Sequence, residues 1–161
     1  MIRGVELSDA KAIVDIYNRY VTESVISFET EPLTEDEMRL RIADISSGFP
    51  YFVWEQDGEV VGYCYAHPWK ERAAYGRTLE TTVYLAPQYT RRGIGSRLMA
   101  RLIDECRAAG YRALIACITG GNEASIALHR ELGFRQVSCF EKVGFKFGRE
   151  LDVVDMELLL D

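Results

Sequence analysis

Long apolar runs are missing from this chain, and so are paired cysteines, histidine clusters and any surplus of positive charge. No segment approaches the length of unbroken apolar sequence that a membrane helix needs, and the opening MIRGVELSDA carries no apolar targeting stretch, so a soluble chain is expected. Cys64, Cys106, Cys117 and Cys139 form no CxxC pair, and only two histidines occur. That argues against a zinc centre or a disulfide framework; no metal is expected, and the thiols are read as reduced, in the cytoplasm. With 25 acidic against 19 basic residues and a net charge of -6, neither nucleic acid nor an anionic membrane is an expected partner, because both need a broad positive field. A polyanionic ligand would have to be held locally. Repeats, low-complexity tracts and Pro/Gly-rich linkers are also absent. The 161 residues, 48% hydrophobic and 27% charged, suit one domain, 1–161, with a core large enough to fold unaided.

What is present reads as alternating strands and helices. IRGVE has strand character, and Ser8 is placed to cap a helix with Ala10, Ile13, Val14, Tyr17 and Val21 on its apolar face. SVISFETEP is a loop, after which Thr34 and Glu37 have capping-box spacing for a helix running to about Ser46. YFVWEQ and EVVGYCYAH flank Asp57-Gly58, a pair that permits positive φ in a tight hairpin turn. RTLETTVYLAP reads as a strand closed by Pro87, and from Ile94 a helix is marked by Ile94, Leu98, Leu102 and Cys106, stopping at Gly110. YRALIACI is a buried strand reached by a parallel crossover, and residues 122–132 are a short helix capped by Asn122 and stopped by Gly133. Strand character returns at 135–143 and in LDVVDMELLL, where Val154, Met156, Leu158 and Leu160 share a face. The fold class is α/β.

The stretch YTRRGIGSRLMARL, residues 89–102, puts two arginines and two glycines at a helix start. Gly93 and Gly95 let a ligand approach the backbone, and the first N–H groups of the helix lack internal partners, so the turn is suited to a phosphate or pyrophosphate, with Arg91 and Arg92 adding charge. Walker A spacing is absent, and Leu98 stands where the third glycine of GxGxxG belongs. On these residues alone, glycines that merely turn the chain and solvated arginines account for the pattern equally well.

The succession of strand, RRGIG turn, amphipathic helix, buried strand and Asn-capped helix resembles the GCN5-related N-acetyltransferase (GNAT) superfamily, whose cofactor loop reads roughly Gln/Arg-x-x-Gly-x-Gly/Ala. PWKERAAYGRTLETTVYL, NEASIALHRELGF and VGFKFGRELDV are similar to the phosphinothricin and methionine sulfoximine N-acetyltransferase group within it. Thr90 departs from the pattern at the first loop position. The resemblance implies a GNAT fold, a central mixed, mostly antiparallel sheet with helices on both faces. It implies acetyl-CoA as co-substrate, with the backbone of Val83, Tyr84 and Leu85 along the pantetheine arm, Arg91, Arg92, Gly93, Ile94, Gly95 and Ser96 at the pyrophosphate, and Asn122 reaching the pantetheine as well as capping its helix. It also implies a homodimer.

By the same resemblance the acceptor is the α-amino group of a small amino acid or analogue such as phosphinothricin, methionine sulfoximine or methionine sulfone. An amine attacks a thioester only through a neutral nitrogen, so a base is needed, and the resemblance assigns it to Glu80. A carboxylate in a strand of Thr, Leu, Val and Tyr would have a raised pKa if buried, although alternation does not fix its face. The resemblance places His129 as an orienting group or an acid toward the leaving thiolate, with a packing histidine as the alternative. The developing oxyanion needs donors, for which the N–H near Val83 is the candidate. Arg72 is the candidate clamp for the acceptor carboxylate, with Lys70 and Tyr75 nearby and Phe28 as a pocket wall; core packing for the two aromatics and a solvated charge for Lys70 stay open. Two other functions stay open, an acetyl-CoA-binding sensor or interaction module without chemistry, and a GNAT with a peptide or polyamine acceptor.

Overall fold

The structure, a computed structural model, describes residues 1–161. Seven strands, β1 (Ile2–Gly4), β2 (Tyr51–Gln56), β3 (Glu59–Pro68), β4 (Thr78–Leu85), β5 (Ala113–Thr119), β6 (Arg135–Lys146) and β7 (Arg149–Leu159), form one sheet in the order β1, β2, β3, β4, β5, β7, β6. Every neighbouring pair is antiparallel except β4 and β5. Four helices, α1 (Ala10–Glu23), α2 (Glu35–Ser46), α3 (Ile94–Ala108) and α4 (Glu123–Glu131), cover it. No helix is long and apolar enough to cross a membrane.

Strand alternation divides the apolar residues between two cores. On β2, Tyr51 and Val53 face α1 and α2, where Tyr63, Ile13, Val21 and Ile42 complete one cluster. Phe52 points to the other face, where Cys64, Leu79, Leu114 and Met156 meet Leu98, Met99 and Leu102 of α3 and Ile126 of α4. Helices therefore lie on both faces of a mixed, mostly antiparallel sheet, the expected fold. Each fully buried Leu or Ile adds about 1.5–3 kcal/mol, so the two amphipathic helices α1 and α3 are held by packing more than by propensity.

The local signals are realised closely. Asp57 and Gly58 take φ of 53° and 81° between the paired Gln56 and Glu59. Thr34 Oγ1 accepts from the Glu37 amide at 3.1 Å while Glu37 Oε1 accepts from the Thr34 amide at 3.1 Å. The Asn122 side chain accepts from the Ser125 amide at 3.3 Å. Ser8 does not cap α1; it lies in a turn of 3₁₀ helix, Leu7–Asp9, that precedes it. Asp9 takes over this chain reversal, because its carboxylate accepts from the Glu6 amide at 2.8 Å and from both terminal Arg3 nitrogens at 2.9 Å. The C-terminal strands run longer than their apolar pattern indicates and are joined by Phe147-Gly148, both at positive φ.

One irregularity positions the site. Parallel pairing of β4 with β5 is confined to Thr78–Glu80 against Ala113–Ile115. Beyond it β4 keeps only β3 and β5 only β7, so the sheet opens as a wedge.

Candidate active site

The wedge forms a cleft of about 450 Å³. Its walls are β4 from Glu80 to Tyr84, β5 from Ala116 to Thr119, the start of α4, and the loop after α1. That loop is fixed rather than loose. Thr119 Oγ1 donates to the Val25 carbonyl at 2.9 Å, Tyr17 Oη to Glu29 Oε1 at 2.6 Å, and buried Lys146 Nζ to the Ser27 carbonyl at 2.6 Å. Arg41 grips Glu29 through two bonds of 2.6 and 3.0 Å. Phe28 lies on bare backbone, since a Cβ at Gly144 would come within 2.5 Å of its ring.

Glu80, Val83, Tyr84, Asn122, His129 and Phe28 all line this cleft. Glu80 sits where β4 parts from β5, its side chain 27% exposed. Burial raises its pKa and the nearby Asp155 adds to the rise, while His67 and the Cys117 thiol oppose it. A carboxyl held in this way can exchange a proton closer to neutrality than an ordinary one. His129 is buried, with Nδ1 2.7 Å from the Ser125 carbonyl and its ring edge-on to Phe134. Burial pushes its pKa down, against the pull of the Ser125 carbonyl, which leaves a neutral ring with the proton on Nδ1.

The arginine-glycine turn lies at the N-terminus of α3. Arg91 and Gly93 both have positive φ, 62° and 79°, and only at Gly93 is that conformation free of the usual Cβ strain. The first helical bond runs from the Arg97 amide to the Gly93 carbonyl. The amides of Ile94, Gly95 and Ser96 carry no intramolecular partner, while the Ile94 side chain is in the core. Arg91 and Arg92 are exposed, Arg92 over the Tyr89 ring at 5.1 Å. Open amides, positive helix end and exposed cations together suit an anion. Leu85 presents its carbonyl to the Tyr20 hydroxyl and its side chain to the core.

Lys70, Arg72 and Tyr75 are not among the residues lining the cleft. They occupy the exposed connection between β3 and β4, where Lys70 Nζ sits 4.7 Å over the Trp69 ring and Tyr75 packs edge-on to it at 5.4 Å. Conversely, Tyr17, Ser27, Glu29, Thr81, Cys117, Thr119 and Ser125 line the cleft without having been singled out from sequence. Thr81 Oγ1 is buried there with no hydrogen-bond partner. The polar interruptions Cys117 and Thr119 in an otherwise apolar strand were the one available signal for the β5 wall.

Comparison with known proteins shows the family. Residues 12–134 match the Acetyltransferase (GNAT) family model. A phosphinothricin N-acetyltransferase from Alcaligenes faecalis is 42% identical over 158 residues, 97% of this chain and 80% of that protein. An L-methionine sulfoximine/L-methionine sulfone acetyltransferase from Salmonella typhimurium is 36% identical, covering 99% of this chain and 94% of its own. The crystal structure of a phosphinothricin acetyltransferase from Sinorhizobium meliloti in complex with AcCoA superposes with a TM-score of 0.96 at 39% identity, over 99% of this chain and 88% of that one. On the family match and these identities, the chain belongs to the acetyltransferase (GNAT) family.

Proposed function

We propose that the protein moves the acetyl group of acetyl-CoA to the α-amino group of a small amino acid or analogue of the phosphinothricin, methionine sulfoximine or methionine sulfone type, with Glu80 as base. The carrying observation is the position of Glu80, a half-buried carboxyl with raised pKa at the apex of the cleft. The names of the relatives support the acceptor class.

The residues present fit acetyl-CoA. The amides of Ile94, Gly95 and Ser96, with Arg91 and Arg92, would hold its pyrophosphate; the β4 edge beyond Glu80 would pair with the pantetheine as an added strand does; Thr81 Oγ1 supplies a hydroxyl that otherwise lacks a partner. When bound it supplies the thioester. Glu80 takes the proton of the incoming amine, freeing the nitrogen lone pair, and the Val83 amide is placed to donate toward the thioester oxygen. His129, kept neutral by burial, orients the acceptor rather than acting as an acid. Phe28 walls the acceptor side, and Arg72 reaches the acceptor carboxylate only by movement of its exposed loop. Release of CoA thiol with a panel of amino acids, peptides and polyamines tests the reading. Turnover with methionine sulfoximine or phosphinothricin at least tenfold above peptides and polyamines is expected; binding of acetyl-CoA without amine-dependent release would make the protein a sensor.

We propose that the protein is a homodimer whose surface is on β6. This edge strand and the turn after it leave Phe140, Val143, Phe145 and Phe147 exposed, Phe145 at 70%. An apolar edge strand of this kind calls for cover, and a second copy brings the same face to it. Phe145→Glu is expected to weaken association at least about 30-fold, seen in sedimentation velocity as a shift from dimer to monomer. A wild-type protein that sediments as a monomer at tens of micromolar would sink the assignment.

A further inference from the structure

We propose that His67 carries the proton collected by Glu80 out to solvent and so resets the base between turnovers. This rests on Glu80 being the base. His67 and Glu80 are direct partners across the β3 and β4 ladder, with His67 Nε2 3.8 Å from Glu80 Oε2. The other ring nitrogen, Nδ1, lies 2.9 Å from the Pro68 carbonyl. A carbonyl only accepts, so Nδ1 bears the hydrogen, and in the neutral ring Nε2 presents its lone pair to the carboxyl. The 3.8 Å gap exceeds a hydrogen bond, and one bridging water or a small side-chain rotation closes it, as happens when catalytic contacts tighten on substrate binding. The imidazole packs on Tyr65 with ring centroids 5.8 Å apart and remains 34% exposed, so one nitrogen meets the base while the ring borders water.

The other neighbours of Glu80 cannot serve as the exit. Cys117 on β5 is already protonated, its thiol pushed up by burial and by the carboxylates of Glu80 and Asp155. Asp155 on β7 is the register partner of Cys117, one strand further from Glu80, and accepts from Ser138 Oγ at 2.9 Å. Glu29 and Arg41, near Tyr65, are paired with each other. His67 is the neighbour with a free lone pair and a solvent face.

The proton balance is complete. An ammonium N–H bond breaks and an O–H bond forms on Glu80, the freed nitrogen lone pair makes the new C–N bond, and as the C–S pair leaves with the CoA sulfur a second N–H bond breaks and its proton goes to that sulfur, leaving a neutral amide and the CoA thiol. The Glu80 O–H bond then breaks as an N–H bond forms on His67 Nε2, and the imidazolium releases that proton to water. His67 acts through Glu80 and does not touch the substrate; it is a positioning residue.

The test is His67→Ala, with His67→Gln as a bulkier control that likewise cannot relay, assayed for CoA release in dilute buffer with and without added imidazole. We expect kcat to fall about 10- to 100-fold with KM for both substrates little changed, and imidazole to restore it in proportion to its concentration. Unchanged kcat, or a loss in both variants that neither imidazole nor buffer concentration relieves, would overturn the relay. Glu80→Gln measured in parallel separates the two ideas. Full activity in that variant removes the base itself, whereas its loss beside an intact His67→Ala removes only the relay.

Discussion

Replacing Glu80 by glutamine is expected to lower kcat/KM for the acceptor amine by about 10²–10⁴-fold, the usual contribution of a positioned general base. The amide keeps the shape and the polar contacts of the carboxylate but cannot take a proton, and the loss is therefore chemical rather than architectural. Acetyl-CoA affinity should hold, because the open amides proposed to hold its phosphates lie at the start of α3 and not beside residue 80. The pH profile carries the sign. The base works deprotonated, so wild-type activity falls on the acid side as the carboxyl protonates, and burial sets that limb above the ordinary carboxylate range near about 4.3. In the glutamine variant the limb assigned to residue 80 disappears. Initial rates from pH 5 to 9 check both features; a variant within about twofold of wild type would remove Glu80 from the chemistry.

The second large effect is structural. Leu98→Ala should destabilise the protein by about 2–5 kcal/mol, out of the 5–15 kcal/mol that domains of this kind typically possess. Leu98 is fully buried in the core beneath α3, where the Cys64 thiol reaches its carbonyl at 3.5 Å. Removing three carbons there leaves a void that neighbouring strands cannot close without breaking register. Leu40→Ala makes the control, since Leu40 is 71% exposed and should change stability by less than about 0.5 kcal/mol. Urea unfolding midpoints measure both; equal midpoints would contradict the packing account.

How much of this was readable from sequence depends on the range of the interaction involved. Asp57-Gly58, the Thr34 and Glu37 box, the α3 stripe and the Asn122 cap are settled within four residues, and the structure reproduces each. Ser8 failed as a cap because Asp9 had a stronger partner, Arg3, contributed by tertiary structure. The Phe147-Gly148 turn was hidden because phenylalanine at positive φ is no turn signal. Glu80 and His129 were reached through the family resemblance, and the cleft holds both. Cys117 and Thr119 come from β5 and Tyr17 from α1, and nothing local announces that they share a cavity. The His67 contact with Glu80 required the register of two strands, which alternation alone leaves undetermined.

The position of β7 has a consequence for how the molecule is made. β5 ends at Thr119, yet the strand that covers its far edge begins only at Arg149, with β6 already synthesised in between. A nascent chain emerging from the ribosome therefore holds β5 with an unsatisfied ladder, and β6 cannot dock beside it in the wrong place without excluding its successor. Completion of the sheet waits on an insertion between two earlier strands, which makes the C-terminal hairpin the natural last step of assembly and the segment most exposed to chaperones on the way.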